Sequence, residues 1–208
     1  MLIKSKDRKS IMIVITIVMI ICPKYVSSQA VDSTAKRMSA WHLSFQYLGL
    51  TYHPDGGNTP EIYPLKFDKK AFLVLDVGVA AKLDYRLSKL FFVRFTSALY
   101  QDCAFVTAGC LHAGPRLQFS WGGNSFNVGI GPILSFRQDW HRFKQYQDDE
   151  FYGNRIYHGW QYRFFGTAVE LEYLRRINDS MEFQYSIVPG APLIITSMFG
   201  IRFKLGRT

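Results

Sequence analysis

Two cysteines, Cys103 and Cys110, offer the widest choice of reactive chemistry in this chain, and six residues lie between them. A thiolate can attack an ester, ligate zinc or pair with a second thiol. No further pair of Cys or His residues has zinc-ligand spacing, so we expect no metal site, and no motif requires a cofactor. In a protein exported from the cytoplasm, two thiols across a loop are expected to form a disulfide. The sequence therefore predicts a Cys103–Cys110 bridge if the chain is exported.

The first thirty residues have the pattern of an export signal. Basic residues between Lys4 and Lys9 precede an apolar run at residues 11–22, and small residues follow at Ser28 and Ala30. The run is shorter than the ~20 residues that a membrane helix needs. We expect a signal peptide at residues 1–30, Sec-dependent export, and cleavage after Ser28 or Ala30. A lipoprotein anchor at Cys22 is the alternative, which the bulky residue before it disfavours.

The remaining residues, 31–208, have the length of one domain. Residues 1–30 contain five of the 25 basic and one of the 16 acidic residues, which leaves 20 basic and 15 acidic residues and a net charge of +5. This excess is mild, and no basic patch with interleaved aromatic residues suggests nucleic acid. We instead interpret the excess positive charge as a basic rim of the barrel that lies beside anionic lipid headgroups. We expect a monomer with lipid partners and no nucleic acid.

Eight segments are rich in aromatic and β-branched residues, and apolar and polar side chains alternate along them. A period of two indicates strands with two different faces. The connections alternate between tight turns and longer links, as in outer-membrane barrels. The expected fold is all-β, an eight-stranded antiparallel transmembrane β-barrel after a cleavable signal peptide, in the outer membrane of a Gram-negative-type bacterium. The predicted strands are residues 40–52, 71–86, 89–101, 110–121, 125–137, 161–176, 180–188 and 193–205.

The two faces of these strands differ in polarity. A charge that faces the bilayer centre costs ~2–4 kcal/mol, so we expect the charged face inside, where opposite charges neutralise one another. A water-soluble barrel with the apolar face inside is the alternative. The predicted interior includes Asp76, Lys82, Asp84, Arg94, Arg116, Gln118, Glu170, Glu172, Glu182, Gln184, Arg202 and Lys204. The predicted lipid-facing set includes Val79, Leu83, Phe95, Leu99, Leu117, Ile130, Phe165 and Phe183.

Small residues on the inward face become frequent toward the end of the long loops. Gly114, Gly129 and Gly131 belong to this set. An eight-stranded barrel can hold side chains or one small ligand. The small residues therefore indicate either an apolar pocket in the outer half or relief of crowding around bulky neighbours. The pattern alone does not choose between these two interpretations.

Four short motifs occur in a recognisable order. They are Gly49-Leu50-Thr51-Tyr52-His53, Ser97-Ala98-Leu99-Tyr100-Gln101-Asp102-Cys103, the run from Val128 to Trp140, and the run from Glu182 to Gly190. In this order they resemble the outer-membrane lipid A palmitoyltransferase family over most of residues 45–205. The resemblance implies an eight-stranded barrel that moves a palmitoyl chain from a phospholipid to lipid A in the outer leaflet.

The resemblance also implies a site. The family's histidine, aspartate and serine fall on His53, Asp102 and Cys103. His53 would act as the base and Asp102 as its orienting or polarising partner. Gly114 falls where the family sets the depth of the acyl pocket, and Gly129 and Gly131 line the same expected pocket. Pro132 and Pro189 lie near points where the family interrupts strand pairing to admit lipid.

Cys103 departs from the family's serine, and a bridged sulfur could neither attack an ester nor donate a proton. Two alternatives to the acyltransferase therefore remain. One is a barrel that binds lipid or another ligand without chemistry. The other is a lipid A deacylase with His141 or His158 as the base, although no matching serine motif accompanies either residue.

Overall fold

The structure is a computed structural model that describes residues 41–54, 56–57, 59–146, 152, 156–190 and 194–205. The predicted signal peptide at residues 1–30 lies outside the described residues. Among the described residues, no helix combines the length and the apolar character needed to span a membrane.

Eight long strands and one short one form a single antiparallel sheet. Each long strand pairs with its neighbour along the chain, and β1 pairs with β9, while β5 pairs with β7 across the short β6. These pairings close the sheet, so the predicted eight-stranded antiparallel β-barrel is confirmed. The strands are β1 Trp41–Tyr52, β2 Leu73–Arg86, β3 Phe91–Gln101, β4 Thr107–Trp121, β5 Asn124–Gln138, β6 Ile156–Tyr157, β7 Trp160–Arg176, β8 Met181–Gly190 and β9 Ile194–Leu205.

The observed strand ends agree with the predicted ones within about three residues, and the largest difference is at β4. This strand begins at Thr107, because Thr107 pairs with Gln101 and extends the β3–β4 ladder beyond the predicted start at residue 110.

Three elements in the long loops were not predicted: the two-residue strand β6 and the single-turn 3-10 helices Pro60–Ile62 and Trp140–Arg142. We call the end with these connections the long-loop end and the opposite end the short-turn end.

The outer wall of the barrel is apolar. Large apolar side chains that point away from the barrel axis are widely exposed, among them Val79 at 63%, Leu99 at 56% and Ile130 at 50%. Near the short-turn end the outer wall also carries aromatic rings, and Trp41 contacts Tyr85 there with 4.7 Å between the ring centroids. The surface of the barrel is thus the reverse of a soluble protein's surface, where such residues occur singly.

The interior is charged, as predicted. Four cations, Lys82, Arg94, Arg116 and Arg202, lie among four acidic residues, Asp84, Glu170, Glu172 and Glu182, and each of these residues is less than a tenth exposed. The four positive and four negative charges of this set balance, as the cost of burying unpaired charge requires. We call this set the ion network.

Arg94 is at the centre of the ion network. Its guanidinium donates to both oxygens of Asp84 at 2.6 and 2.9 Å and also binds Glu172 and Glu170. Lys82 donates to Glu170 at 2.5 Å, and Arg116 reaches the second oxygen of Glu170 at 2.9 Å. One carboxylate therefore joins three cations from three strands, which fixes the side chains across the barrel axis.

Two apolar layers enclose the ion network. Toward the short-turn end, the buried ring of Phe92 lies within 5.9 Å of the guanidinium groups of Arg86, Arg94 and Arg202. Toward the long-loop end, Leu48, Ala80, Ala98 and Met198 form a buried cluster. The charged layer of the described barrel thus lies between an aromatic ring on one side and an aliphatic cluster on the other.

Phe165 was predicted to face lipid, and that prediction is wrong. The β5–β7 register shifts between Gly131↔Ala168 and Ile133↔Phe165, so β7 has one extra residue at this point. A bulge of this kind moves the following side chains to the opposite face. Phe165 therefore lies on the inward face with Ile133, and Phe164, which is 61% exposed, points outward in its place.

Candidate functional site

The long-loop end is closed by a compact set of loop residues. Tyr63 and Ala71 come from the β1–β2 connection, Cys103, Ala104 and Val106 come from the β3–β4 region, Trp140 comes from the β5–β6 connection, and Val74 is at the start of β2; all are buried. The ring of Tyr63 packs edge-on against Trp140 with 5.8 Å between centroids. We call this set the loop cluster. It contains or contacts all three residues that the resemblance assigned to catalysis.

Asp102 organises the β3–β4 loop. One carboxylate oxygen accepts hydrogen bonds from the backbone N–H groups of Ala104 and Val106, both at 3.0 Å. The other accepts from the indole N–H of Trp140 at 2.8 Å. Burial raises the pKa of Asp102 even though these donors favour the carboxylate. Both oxygens are thus engaged in holding the loop.

The tight turn that Asp102 holds places Phe105 in an unusual conformation. The backbone N–H of Phe105 donates to the carbonyl of Asp102 at 2.7 Å, and its φ is +59°. A bulky residue with positive φ is strained, and such strain is concentrated at functional sites. The ring is 54% exposed, so the strained turn presents an aromatic side chain at the long-loop end.

The predicted Cys103–Cys110 disulfide is wrong, because both residues are free thiols. Cys103 belongs to the loop cluster, whereas Cys110 lies within β4 opposite Ala98 and packs against the apolar layer in the barrel. Three residues of strand separate Cys110 from Thr107 at the loop, a rise of about 10 Å. Cys110 therefore lies well along β4 from the loop that holds Cys103, whereas a disulfide joins Cα atoms within about 7 Å of each other.

Cys103 has the properties of a structural thiol. It is buried, and burial together with the negative charges of Asp102 and Asp76 raises its pKa well above the ordinary value. The thiolate is the nucleophilic form of cysteine, so a buried thiol of this kind is a weak nucleophile.

His53 lies at the edge of the loop cluster. Its backbone N–H donates to the carbonyl of Phe72 at 2.7 Å, and its ring packs edge-on against Tyr63 at 6.1 Å between centroids. Burial lowers the pKa of His53, which keeps the ring neutral near pH 7. Within the described residues, no hydrogen bond joins its ring to Asp102, so the two are connected through Tyr63 and Trp140 rather than directly.

Arg137 entered the sequence analysis only as part of the run from Val128 to Trp140 and was given no role, although it is a central residue of this end. Its guanidinium lies 3.7 Å from the ring centroid of Trp140 and 4.3 Å from that of Tyr152. It also donates to Gln161 at 2.9 Å and to the hydroxyl of Tyr146 at 3.0 Å. The signal in the sequence was the aromatic richness of residues 138–160, which does not reveal a partner on β5.

His141 forms a second histidine–aspartate contact. Its Nδ1 lies 2.6 Å from a carboxylate oxygen of Asp139, and this contact is partly exposed. The same oxygen accepts the backbone N–H of His141, so Asp139 also caps the 3-10 helix Trp140–Arg142. The groups that make the cap hold the pKa of Asp139 below its ordinary value despite some burial.

The glycines of the expected acyl pocket lie where β4 and β5 approach each other closely. A Cβ atom on Gly114 would overlap the carbonyl oxygen of Ile130, and one on Gly131 would overlap that of Ala113. A Cβ on Gly129 would overlap the side chain of Arg116. The space beside these glycines is taken by strand backbone and by Arg116 of the ion network, which matches the crowding interpretation of the small residues.

Two interruptions of the strand ladders lie beside the predicted prolines. The β4–β5 register omits the residues between Gly129 and Ile133, which include Pro132. On β8, pairing with β7 ends at Ile187, although pairing with β9 continues through Pro189 to Gly190. Each interruption leaves a stretch of the described barrel wall without regular strand pairing.

No protein-family model matches the chain, and no curated protein sequence matches it. Solved barrels of similar size show weak structural similarity. The N-terminal β-barrel domain of OprF from Pseudomonas aeruginosa is 10% identical, with 78% of this chain and 96% of that chain covered and a TM-score of 0.46. Neisserial surface protein A is 9% identical, with 80% and 98% covered and a TM-score of 0.45. Ail of Yersinia pestis is 16% identical, with 80% and 100% covered and a TM-score of 0.41.

Proposed function

We propose that this chain is an integral barrel of a Gram-negative-type outer membrane that binds lipid or another ligand at its long-loop end without chemistry. The observation that supports the membrane placement is the reversed polarity of the barrel, with Val79, Leu99 and Ile130 outside and a balanced ion network inside. Lipid is the solvent that favours this arrangement. The long loops then face the cell exterior.

The engagement of the three candidate catalytic groups supports a binding role. Asp102 uses both oxygens to hold its loop, the Cys103 thiol is buried, and His53 contacts neither of them by a hydrogen bond within the described residues. The ion network also blocks the axis with side chains that are almost fully buried, in contrast to the water-filled lumen of a porin. The described loops form a surface at which the ring of Phe105 is exposed.

The test is an assay with purified protein in micelles of phospholipid and lipid A. We expect mass spectrometry to show unchanged lipid A, with lipid carried through purification by the barrel. Acylated lipid A formed by the wild type and lost in His53→Ala would contradict the non-catalytic role.

A lipid A acyltransferase is the second candidate, and the ladder interruptions favour it. In this proposal lipid approaches the barrel wall sideways near Pro132 and Pro189, and its acyl chain requires Arg116 and the β4 and β5 backbones to move out of the space beside Gly114, Gly129 and Gly131. His53 acts as the base and Asp102 as the polarising partner. The Cys103 sulfur would take the acyl group from the phospholipid ester, release the lysophospholipid and pass the acyl group to a lipid A hydroxyl.

The acyltransferase proposal also predicts that the Cys103 sulfur is required for acyl transfer. Cys103→Ser should retain or raise transfer activity, and Cys103→Ala should abolish it. Cys110→Ala is the matched control, because that thiol lies inside β4, away from the loop cluster. Equal activity in Cys103→Ala and the wild type would exclude a covalent role for this sulfur.

The deacylase alternative places its base at His141, and the contact with Asp139 is the observation that favours it. Release of free fatty acid without an acylated product, dependent on His141 but not on His158, would support this activity. Intact lipid A in the same assay would exclude it.

A further inference from the structure

A short segment of the β1–β2 connection extends the barrel wall above β3. Leu75 donates its backbone N–H to the carbonyl of Leu65 at 3.1 Å, and Phe67 donates to the carbonyl of Leu73 at 2.9 Å. These two bonds enclose the bridge between Lys66 and Val74. The segment Leu65–Phe67 is therefore paired with the outer end of β2. We call it the edge segment.

The edge segment pairs with the part of β2 that extends beyond the end of β3. The ladder between β2 and β3 begins at Val77↔Gln101, so residues 73–75 of β2 extend past the end of β3. On their other side these residues pair with β1 through Leu50, Thr51 and Tyr52. The edge segment thus fills the free edge of β2 and continues the wall of the barrel.

The register gives the edge segment an outward apolar face. Val74 points inward and is buried, so its neighbours Leu73 and Leu75 point outward. Leu65 lies opposite Leu75 and Phe67 lies opposite Leu73, which places both on the same outward side. Leu65 is 36% exposed and Phe67 is 63% exposed. The apolar wall proposed to face lipid therefore continues onto this loop.

Positive charge follows the edge segment directly in the sequence. Residues 65–70 contain three lysines and one aspartate. The carboxylate of Asp68 accepts the backbone N–H groups of Lys70, Phe72 and Leu73 between 3.0 and 3.1 Å, so it is engaged with the loop backbone. Lys66 donates to the carbonyl of Pro60 at 2.6 Å. Lys69 and Lys70 are exposed, and neither makes an ion pair with a carboxylate in the described part of the chain.

We propose that the edge segment and the lysines at 69 and 70 form a docking site for an anionic lipid of the outer leaflet. The acyl part of the lipid packs against Leu65 and Phe67, and the ammonium groups of Lys69 and Lys70 bind the headgroup phosphate. This inference rests on the membrane placement proposed above. The continuity of the apolar wall indicates the hydrocarbon part, and the two lysines, which make no ion pair with any carboxylate among the described residues, indicate the anionic part.

The test compares two doubly substituted proteins in detergent micelles. Lys69→Gln/Lys70→Gln removes the proposed phosphate ligands, and Arg142→Gln/Lys144→Gln removes two exposed positive charges from another loop of the same end. The probes are phosphatidylglycerol and phosphatidylcholine with identical acyl chains, and the measurement is lipid retained per barrel by native mass spectrometry. Folding of each variant is checked by the heat-dependent shift in gel mobility.

We expect roughly 30-fold weaker phosphatidylglycerol retention in the Lys69/Lys70 variant, as the loss of two lysines at an anionic surface implies, and little change in the Arg142/Lys144 variant. Phe67→Ser should weaken retention of both lipids. Equal retention in both double variants would overturn the docking site while leaving the membrane placement intact. A wild-type barrel that stays out of membranes would instead overturn the proposed function itself.

Discussion

At the scale of single residues, the ion network depends most on Arg94. This guanidinium binds Asp84, Glu170 and Glu172, and none of these groups has access to water. A buried ion pair contributes little compared with well-packed apolar residues, but removal of one partner leaves uncompensated charge. The network is therefore most sensitive to the loss of the residue that joins most carboxylates.

Arg94→Met should lower the free energy of unfolding by about 3–5 kcal/mol, because three buried carboxylates lose a shared cation. Urea unfolding in detergent micelles measures the change. Lys89→Met, an exposed substitution in the β2–β3 turn, is the control and should stay within about 0.5 kcal/mol of the wild type. Equal stability of the two variants would show that the interior charges do not hold the barrel together.

His53 gives a pH-dependent prediction at the same scale. Burial lowers its pKa, so between that value and the ordinary histidine value the folded loop binds fewer protons than the unfolded loop. The stability of the loop should rise with pH through this window, and the contribution of His53 should reach its full value above it. We expect the His53 ring signal in an NMR titration to have a midpoint below that of a histidine in an unfolded peptide. A midpoint at or above the peptide value would contradict the burial of the ring against Tyr63.

At the scale of strands, the period of two predicted the eight long strands and the side on which the charges lie. The strand ends at β4 and the bulge in β7 could not be predicted, because both depend on which residues pair across the ladder. Thr107 extends β4 by pairing with Gln101, and the extra residue before Ala168 turns Phe165 inward. The buried ring of Phe92 was missed for a related reason, since an aromatic residue in an alternating strand fits either face.

The candidate site could also be predicted only in part, because it too depends on contacts between separate segments of the chain. The order of the motifs placed His53, Asp102 and Cys103 at one end of the barrel, where the loop cluster brings them near one another. Their roles depend on contacts with Trp140 and Tyr63 from other loops, which no local pattern specifies. The role of Arg137 was missed because it depends on how the loop folds back, which brings Tyr146, Tyr152 and Gln161 to a guanidinium that already stacks on nearby Trp140.

The close approach of β4 and β5 predicts a difference between two glycines. Gly131→Ala places a Cβ against the carbonyl of Ala113 and should destabilise the barrel by about 1–3 kcal/mol, because the backbones must separate. Gly166→Ala meets nothing within 4 Å and should be tolerated. Urea unfolding of both variants measures the difference. Equal tolerance of the two changes would contradict the tight β4–β5 seam.

The offset between the loop and β4 predicts two free thiols. Alkylation of the unfolded protein without reductant should modify both Cys103 and Cys110, since they lie in separate clusters. Mass spectrometry of the peptides that contain these residues gives the result. If alkylation of both residues requires reductant, the thiols are bridged and the β3–β4 loop differs from the one described.

At the scale of the whole molecule, the proposed membrane placement depends on which side of the barrel wall faces hydrocarbon. Outward side chains such as Val79, Leu99 and Ile130 are widely exposed, while Leu48 and Leu174 are buried inside. A membrane makes the outward set favourable, and water would make the same set a large apolar surface open to aggregation. The membrane placement, the proposed ligand class and the edge segment all follow from this polarity.

Methyl NMR of the barrel in lipid nanodiscs with a spin label on the acyl chain tests this polarity most directly. We predict strong broadening of the methyl signals of Val79, Leu99 and Ile130, with those of Leu48 and Leu174 much less affected. A water-soluble relaxation agent should leave the outward methyl signals sharp. Broadening of the outward methyl signals by the water-soluble agent, without broadening by the lipid label, would contradict the account.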